Sequence, residues 1–246
     1  MNFYGLSDKG RYRAENQDSF DLGVVRDGVL AVVCDGMGGE VHGLLASDLA
    51  AGRFFAFARA ALEASDGEDS ADILCQATDA ANRKVYRLAT QNEGYSGMGT
   101  TLVGGYFRAD TAFFVNVGDS RAYRIAKDGI VQITKDHSVV QEMIDRGEIT
   151  QAQGRHHPRR QYITRAVGSE RFVESDVFSV PIREGDRFLL CSDGLTKALE
   201  DAELHRVLLA EDDAQSACQV LVREAVDSGA RDNVTAIVIY PKKGGA

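Results

Sequence analysis

The chain has 246 residues, 44% hydrophobic and 26% charged, with a formal net charge of −9, a length that admits one large domain or two small ones and a composition ordinary for a globular protein. The acidic surplus opposes nucleic-acid binding, which needs clustered Lys and Arg; no apolar run reaches the roughly 18 residues of a membrane span, and the N-terminus lacks the pattern of a secretory signal, so a cytoplasmic protein is expected. Cys34, Cys75, Cys191 and Cys218 stand far apart in apolar stretches, which excludes a disulfide or zinc framework and reads as reduced core residues.

In chain order, residues 8–18 form a polar loop before the alternating Phe20, Leu22 and Val24, a strand closed by a turn at Arg26-Asp27-Gly28. Residues 29–39, VLAVVCDGMGG, run from a buried strand straight into Asp35 at a glycine-rich turn. Residues 43–64 are apolar on nearly all sides, with Asp48, Gly52 and Arg59 in a narrow polar stripe, and predict a largely buried helix. Residues 65–70 are a polar loop too short for a domain linker. A second helix follows, with Leu74, Ala77, Ala81, Val85 and Leu88 at helical spacing, ending before Gly94.

From Gly97 the pattern changes to strands. Residues 100–107 and 111–117, then 121–125 and 130–133, read as two successive hairpins of a partly antiparallel sheet. Residues 136–147 predict a short helix. Residues 148–165 have little periodicity but carry Arg155, His156, His157, Arg159 and Arg160, the pattern of an exposed, mobile, locally basic segment. The two histidines have no zinc-type spacing around them. Strands at 172–181 and 187–191 turn at Glu184-Gly185-Asp186; helices at 201–210 and 214–227 and a last strand at 234–240 complete the order. Strands, helices, strands, helices and a strand, without a boundary, indicate one layered α+β domain over residues 1–246.

The chemistry lies in a repetition. Cys34 leads into Asp35-Gly36, Val117 through Gly118 into Asp119-Ser120, and Cys191 through Ser192 into Asp193-Gly194, while Asp232-Asn233 precedes the final strand and Asp18 an early one. Carboxylates at strand ends converge if those ends share one edge of a sandwich. Five together repel unless cations intervene, and oxygen-only ligands suit Mg²⁺ or Mn²⁺. A carboxylate shared by two such ions is the pattern of a two-metal hydrolytic site.

The same residues carry a resemblance. R-A-E-N-Q-D at residues 13–18, D-G-M-G-G at 35–39, G-M-G-T-T-L at 97–102, V-G-D-S-R at 117–121, D-H-S at 136–138, I-T-R-A-V-G at 163–168, S-D-G-L at 192–195 and D-N-V-T at 232–235 resemble, in order, the metal-dependent protein phosphatases of the 2C type, in their bacterial branch. The resemblance implies a four-layer α-β-β-α sandwich of two mainly antiparallel sheets. It implies two Mn²⁺ or Mg²⁺ ions, with a third in some bacterial relatives, and hydrolysis of phosphoserine and phosphothreonine by a metal-activated water. Carried over, Asp35 bridges the two ions, the Gly36 carbonyl, Asp193 and Asp232 complete one shell, and Asp18 serves the other. Asp119 binds the third ion, shared with Asp193, and Arg13 holds the substrate phosphate.

Residues 145–165 correspond to the flap over the active-site edge, where the basic stretch suits an acidic phosphopeptide. Two departures stand out. Met37 occupies the place where eukaryotic relatives carry a histidine assigned as general acid, and it cannot donate a proton. His42-Gly43-Leu44 stands where the bacterial pattern has A-G-E. The implied partners are phosphorylated protein substrates and a cognate Ser/Thr kinase, with the protein acting as a monomer away from nucleic acid and membrane. The competing readings are a catalytically silent phosphoprotein-binding module on this fold and a phosphatase dedicated to an anti-sigma antagonist.

Overall fold

The computed structural model describes residues 1–38, 42–65, 69–91 and 93–241. Gly39 of the expected turn, residues 66–68 of the polar loop and the Gly-rich tail from residue 242 lie outside these. In chain order the elements are β1 (Asn2–Asp8), β2 (Asp18–Val25), β3 (Gly28–Met37), α1 (His42–Ala64), α2 (Ser70–Gln91), a 3₁₀ turn (Glu93–Tyr95), β4 (Gly99–Thr100), β5 (Leu102–Arg108) and β6 (Thr111–Val117). There follow β7 (Arg121–Ala126), β8 (Gly129–Gln132), α3 (Val139–Asp145), α4 (Gln151–Arg155), β9 (Asp176–Pro181), β10 (Arg187–Cys191), α5 (Asp193–Ala198), α6 (Asp201–Ala210), α7 (Ala214–Asp227) and β11 (Val234–Tyr240).

One sheet has the order β2-β3-β5-β6-β9, with β4 paired to β3; the other has the order β1-β11-β10-β7-β8. Neighbouring strands pair antiparallel in both. The two-residue period of a strand sorts side chains into layers. In β3, Val29, Ala31 and Val33 face the opposite sheet, while Leu30, Val32 and Cys34 pack beneath α1 and α2. In β10 and β11, Phe188, Leu190, Ile237 and Ile239 face inward, whereas Leu189, Cys191, Ala236 and Val238 meet α6 and α7. The result is the expected α-β-β-α sandwich. Phe107, Phe114 and Phe188 join the sheets at centroid separations of 5.4, 5.2 and 6.0 Å. Such aromatic pairs are worth roughly 0.5–1.5 kcal/mol beyond their buried area.

Several elements depart from expectation. β1 was not read from the sequence; its weak pattern, NFYGLSD, becomes a strand because β11 offers a seven-residue antiparallel register from Asn2 opposite Tyr240 to Asp8 opposite Val234. The two hairpins form, but β5–β6 belongs to one sheet and β7–β8 to the other. Gly118 lies between them, at φ 103°, where a Cβ would stand 2.7 Å from Thr101 Cγ2. β9 and β10 likewise turn without pairing. Phe172, expected in a strand, is exposed and precedes β9. α1 buries one stripe, including Ala46, Ala50, Ala51, Phe54, Ala58 and Leu62, rather than nearly all sides. The segment expected as an irregular loop holds α4, started by a capping box between Thr150 and Gln153. Among the cysteines, which are free thiols, Cys34, Cys191 and Cys218 are buried and Cys75 half-buried.

Candidate active site

Sheet pairing brings the strand-end carboxylates to one edge. Asp18 opens β2 directly opposite Asp35 near the end of β3. Cys191 ends β10 opposite Ala236, near the start of β11, so Asp193 emerges beside the segment that carries Asp232. A Cβ on Gly194 would lie 3.4 Å from Asp232 Cβ. Asp119 follows the crossing at Gly118. Asp35 is raised well above the usual carboxylate range, first by loss of water around it and then by the charges of Asp18, Asp193, Asp119 and Asp232. Burial is also the main cause that lifts Asp18 to about 7 and Asp119 to about 8.

Neutral donors hold the cluster in place. Ser192 Oγ and Thr235 Oγ1 donate to Asp18 Oδ2 at 2.7 and 2.6 Å, and the Thr235 amide donates to Ser192 Oγ at 3.0 Å. The Asp35 amide donates to Thr101 Oγ1 at 2.9 Å, and Thr100 Oγ1 donates to the Asp35 carbonyl at 2.9 Å. Asn233 ties the N-terminal loop to the site: its Oδ1 accepts from the Gln17 amide, and its Nδ2 donates to the Lys9 and Glu15 carbonyls, all within 3.0 Å. Gly36 donates to the Gln17 carbonyl at 3.1 Å. A Cβ there would strike the Gly43 carbonyl of α1 and approach Gln17 O to 2.7 Å, so glycine is required by backbone crowding alone.

Two side-chain cations engage the acids. Arg13 Nη2 donates to Asp232 Oδ2 at 2.7 Å at the rim, and Lys197 Nζ, on α5, donates to Asp193 Oδ2. Among the described residues no three His, Cys, Asp or Glu side chains close on one point as they stand. Yet Asp18 Oδ1 and Asp193 Oδ1 are buried without any hydrogen-bond partner. Unpaired buried carboxylate oxygens cost several kcal/mol or more. A set of oxygen ligands with two free valences fits a hard divalent cation.

The matched family model, Protein phosphatase 2C, spans residues 11–223. The chain belongs to the protein phosphatase 2C family. It is 33% identical to the serine/threonine phosphatase stp of Listeria innocua over 95% of this chain and 93% of that protein. Its structure matches the serine/threonine phosphatase Stp1 of Staphylococcus aureus with a TM-score of 0.91 at 33% identity, over 99% of this chain and 96% of that one. It also matches the catalytic domain of the serine threonine protein phosphatase PstP in complex with two manganese ions, with a TM-score of 0.83 at 33% identity over 96% of each chain. The protein is a serine/threonine phosphatase of a metal-dependent family. No helix among the described residues is long and apolar enough to cross a membrane.

Beside the acids of this 2C phosphatase, a cavity of about 270 Å³ is lined by residues of α5 and of the segment 151–160. Asp119, Asp193 and Lys197 line it together with Arg155, His156 and Arg160. The basic stretch is partly committed: Arg155 pairs with Asp201 at 3.3 Å and Glu200 at 3.8 Å at the start of α6. His157 Nδ1 accepts from the Arg159 amide at 3.1 Å. Met37 pairs with Gly99 in β4, and the His42 ring packs edge-on against Tyr95. Sequence reasoning missed Lys197, Ser192, Thr235, Asn233 and Thr101 as parts of the site. Most lie inside the quoted motifs, where hydroxyl and amide residues beside each aspartate were the available signal. His137, from the D-H-S motif, is buried, accepts from the Gly118 amide at 3.2 Å and faces Asp176 at 3.3 Å; burial holds its pKa below the ordinary histidine value.

Proposed function

We propose that this phosphatase hydrolyses phosphoserine and phosphothreonine in protein substrates at the acid edge of the sandwich, with two Mn²⁺ or Mg²⁺ ions held there. Asp35, the Gly36 carbonyl, Asp193, Asp232 and Asp18, the last through its unpartnered Oδ1, would hold these ions. Asp119 is the ligand of a further ion if one binds. When bound, such ions polarise phosphoryl oxygens and supply a nucleophile at neutral pH. The observation that carries the reading is the pair of buried, unpartnered oxygens on Asp18 and Asp193.

The chain's own groups do the rest. Ser192 and Thr235 fix the Asp18 carboxylate, and Thr100 and Thr101 fix the Asp35 backbone. Arg13 stands half-exposed at the mouth and turns its guanidinium fork from Asp232 to the substrate phosphate. The Met37 thioether neither gives nor takes a proton, so protonation of the departing serine or threonine oxygen falls to another group. The flap, with Arg159 and Arg160, attracts acidic residues flanking the phosphorylated site. The chain acts as a single catalytic domain, a monomer in the bacterial cytoplasm working against a Ser/Thr kinase. Phosphate release from phosphoserine, phosphothreonine and phosphotyrosine peptides with Mn²⁺ tests the reading. Release from the first two that stops in EDTA is expected, and turnover that persists in EDTA would overturn it.

A further inference from the structure

Lys197 lies one helical turn after Asp193 on α5, a spacing that carries its ammonium back over the aspartate. Its Nζ takes Asp193 Oδ2 and leaves the buried Oδ1 unpartnered. Its side chain is 33% exposed and that of Asp193 only 12%, so the pair is largely withdrawn from water, unlike the surface pairs between Arg59 and Glu63 or Arg146 and Glu142. Asp119 lines the same cavity. Without a cation, Asp119 and Asp193 face each other's charge in a water-poor setting.

We propose that Lys197 is a tethered cation for the Asp119–Asp193 corner of the acid cluster, which a divalent ion enters only by displacing it. The proposal rests on the metal-centre reading above and changes one role within it. The corner where the family resemblance implies a third ion carries its own ammonium, while Asp193 keeps Oδ1 for the ion it serves together with Asp35. A single charge on a flexible stem serves here because the corner needs neutralising rather than a fixed coordination geometry.

The test is the count of Mn²⁺ bound per full-length chain, by calorimetric titration with electron paramagnetic resonance of the unbound ion. The unmodified chain is expected to bind the pair of ions that a two-metal site requires. Lys197→Met, with Lys197→Gln beside it should the first fail to fold, is expected to bind one more at the same free Mn²⁺. Adding Asp119→Asn to either should remove the gain, and Lys197→Arg should not produce it. An equal count in the unmodified chain and the neutral variants overturns the proposal, as does a gain that survives Asp119→Asn. If the unmodified chain binds no Mn²⁺, the metal-centre reading itself falls and takes the proposal with it.

Discussion

Raising the pH of the metal-free protein should unfold it more easily, because its carboxylates are held protonated by the fold. Asp18 is lifted to about 7 and Asp119 to about 8 from an ordinary value of 3.8. Above pH 3.8 the unfolded chain releases these protons while the folded chain keeps them. The folded state therefore binds more protons, and stability falls as pH rises until it passes the folded values. Between pH 6.5 and 8, Asp119 and Asp18 together account for a loss of roughly 2–3 kcal/mol, Asp119 for the larger share, from the linkage relation at about 1.36 kcal/mol per unit. Asp35, raised in the same direction, adds to this. His137 acts oppositely, since its folded pKa is lowered. Its effect is confined below about pH 6.5, where the unfolded histidine begins to protonate. A total of roughly 2–3 kcal/mol corresponds to roughly 4–12 °C in Tm for a chain of this size. Calorimetry in EDTA at pH 6.5 and 8 measures it, and saturating Mn²⁺ should abolish or reverse the trend. A metal-free Tm that is level or rises across this window would refute the burial argument for the acid cluster.

Asp193→Asn should lower phosphate release by at least about a hundredfold, given that even outer partners of metal ligands cost 10–100-fold; a steady-state assay retaining the full rate would remove Asp193 from the centre. Arg13→Lys, which loses the fork proposed to grip phosphate, should raise KM for a phosphopeptide about tenfold, as the loss of one charged hydrogen bond would, with a smaller change in kcat. Gly36→Ala drives a methyl group into the Gly43 and Gln17 carbonyls and should cost about 1–3 kcal/mol or more in urea denaturation. Arg124→Ala removes a bidentate partner at 2.8 and 2.7 Å from Asp186, whose side chain is 2% exposed. The stranded charge should cost about 3–5 kcal/mol, measured the same way.

Asp35, Asp119 and Asp193 were legible because each follows a strongly apolar strand at a glycine or serine, as with Cys34 before Asp35 and Cys191 before Ser192-Asp193. The helices at α2, α6 and α7 were equally plain, since their apolar residues recur at helical spacing and their ends carry caps such as Asp213, whose side chain accepts from the Ser216 amide at 2.9 Å. β1 was not legible, because a short half-buried edge strand draws its stability from β11 rather than from its own pattern. Nor was the division of the two hairpins between sheets, which depends on the crossing at Gly118 and leaves no trace in periodicity.

By itself the sequence determined which residue types were available at the site: oxygen donors at five strand ends, and an arginine and a methionine at the positions to which the family resemblance gives phosphate and proton handling. Only the tertiary structure decided their mutual relations. Register placed Asp18 against Asp35, and hydroxyls from β11 and the end of β10 took one oxygen of Asp18 and left the other bare. The turn of α5 swung Lys197 onto Asp193. Charge and chemistry are properties of single residues and can be read along the chain. Desolvation and Coulomb coupling depend on distances between residues far apart in the chain, such as Asp18 and Thr235 at 217 positions, and exist only once the sheets have closed on each other.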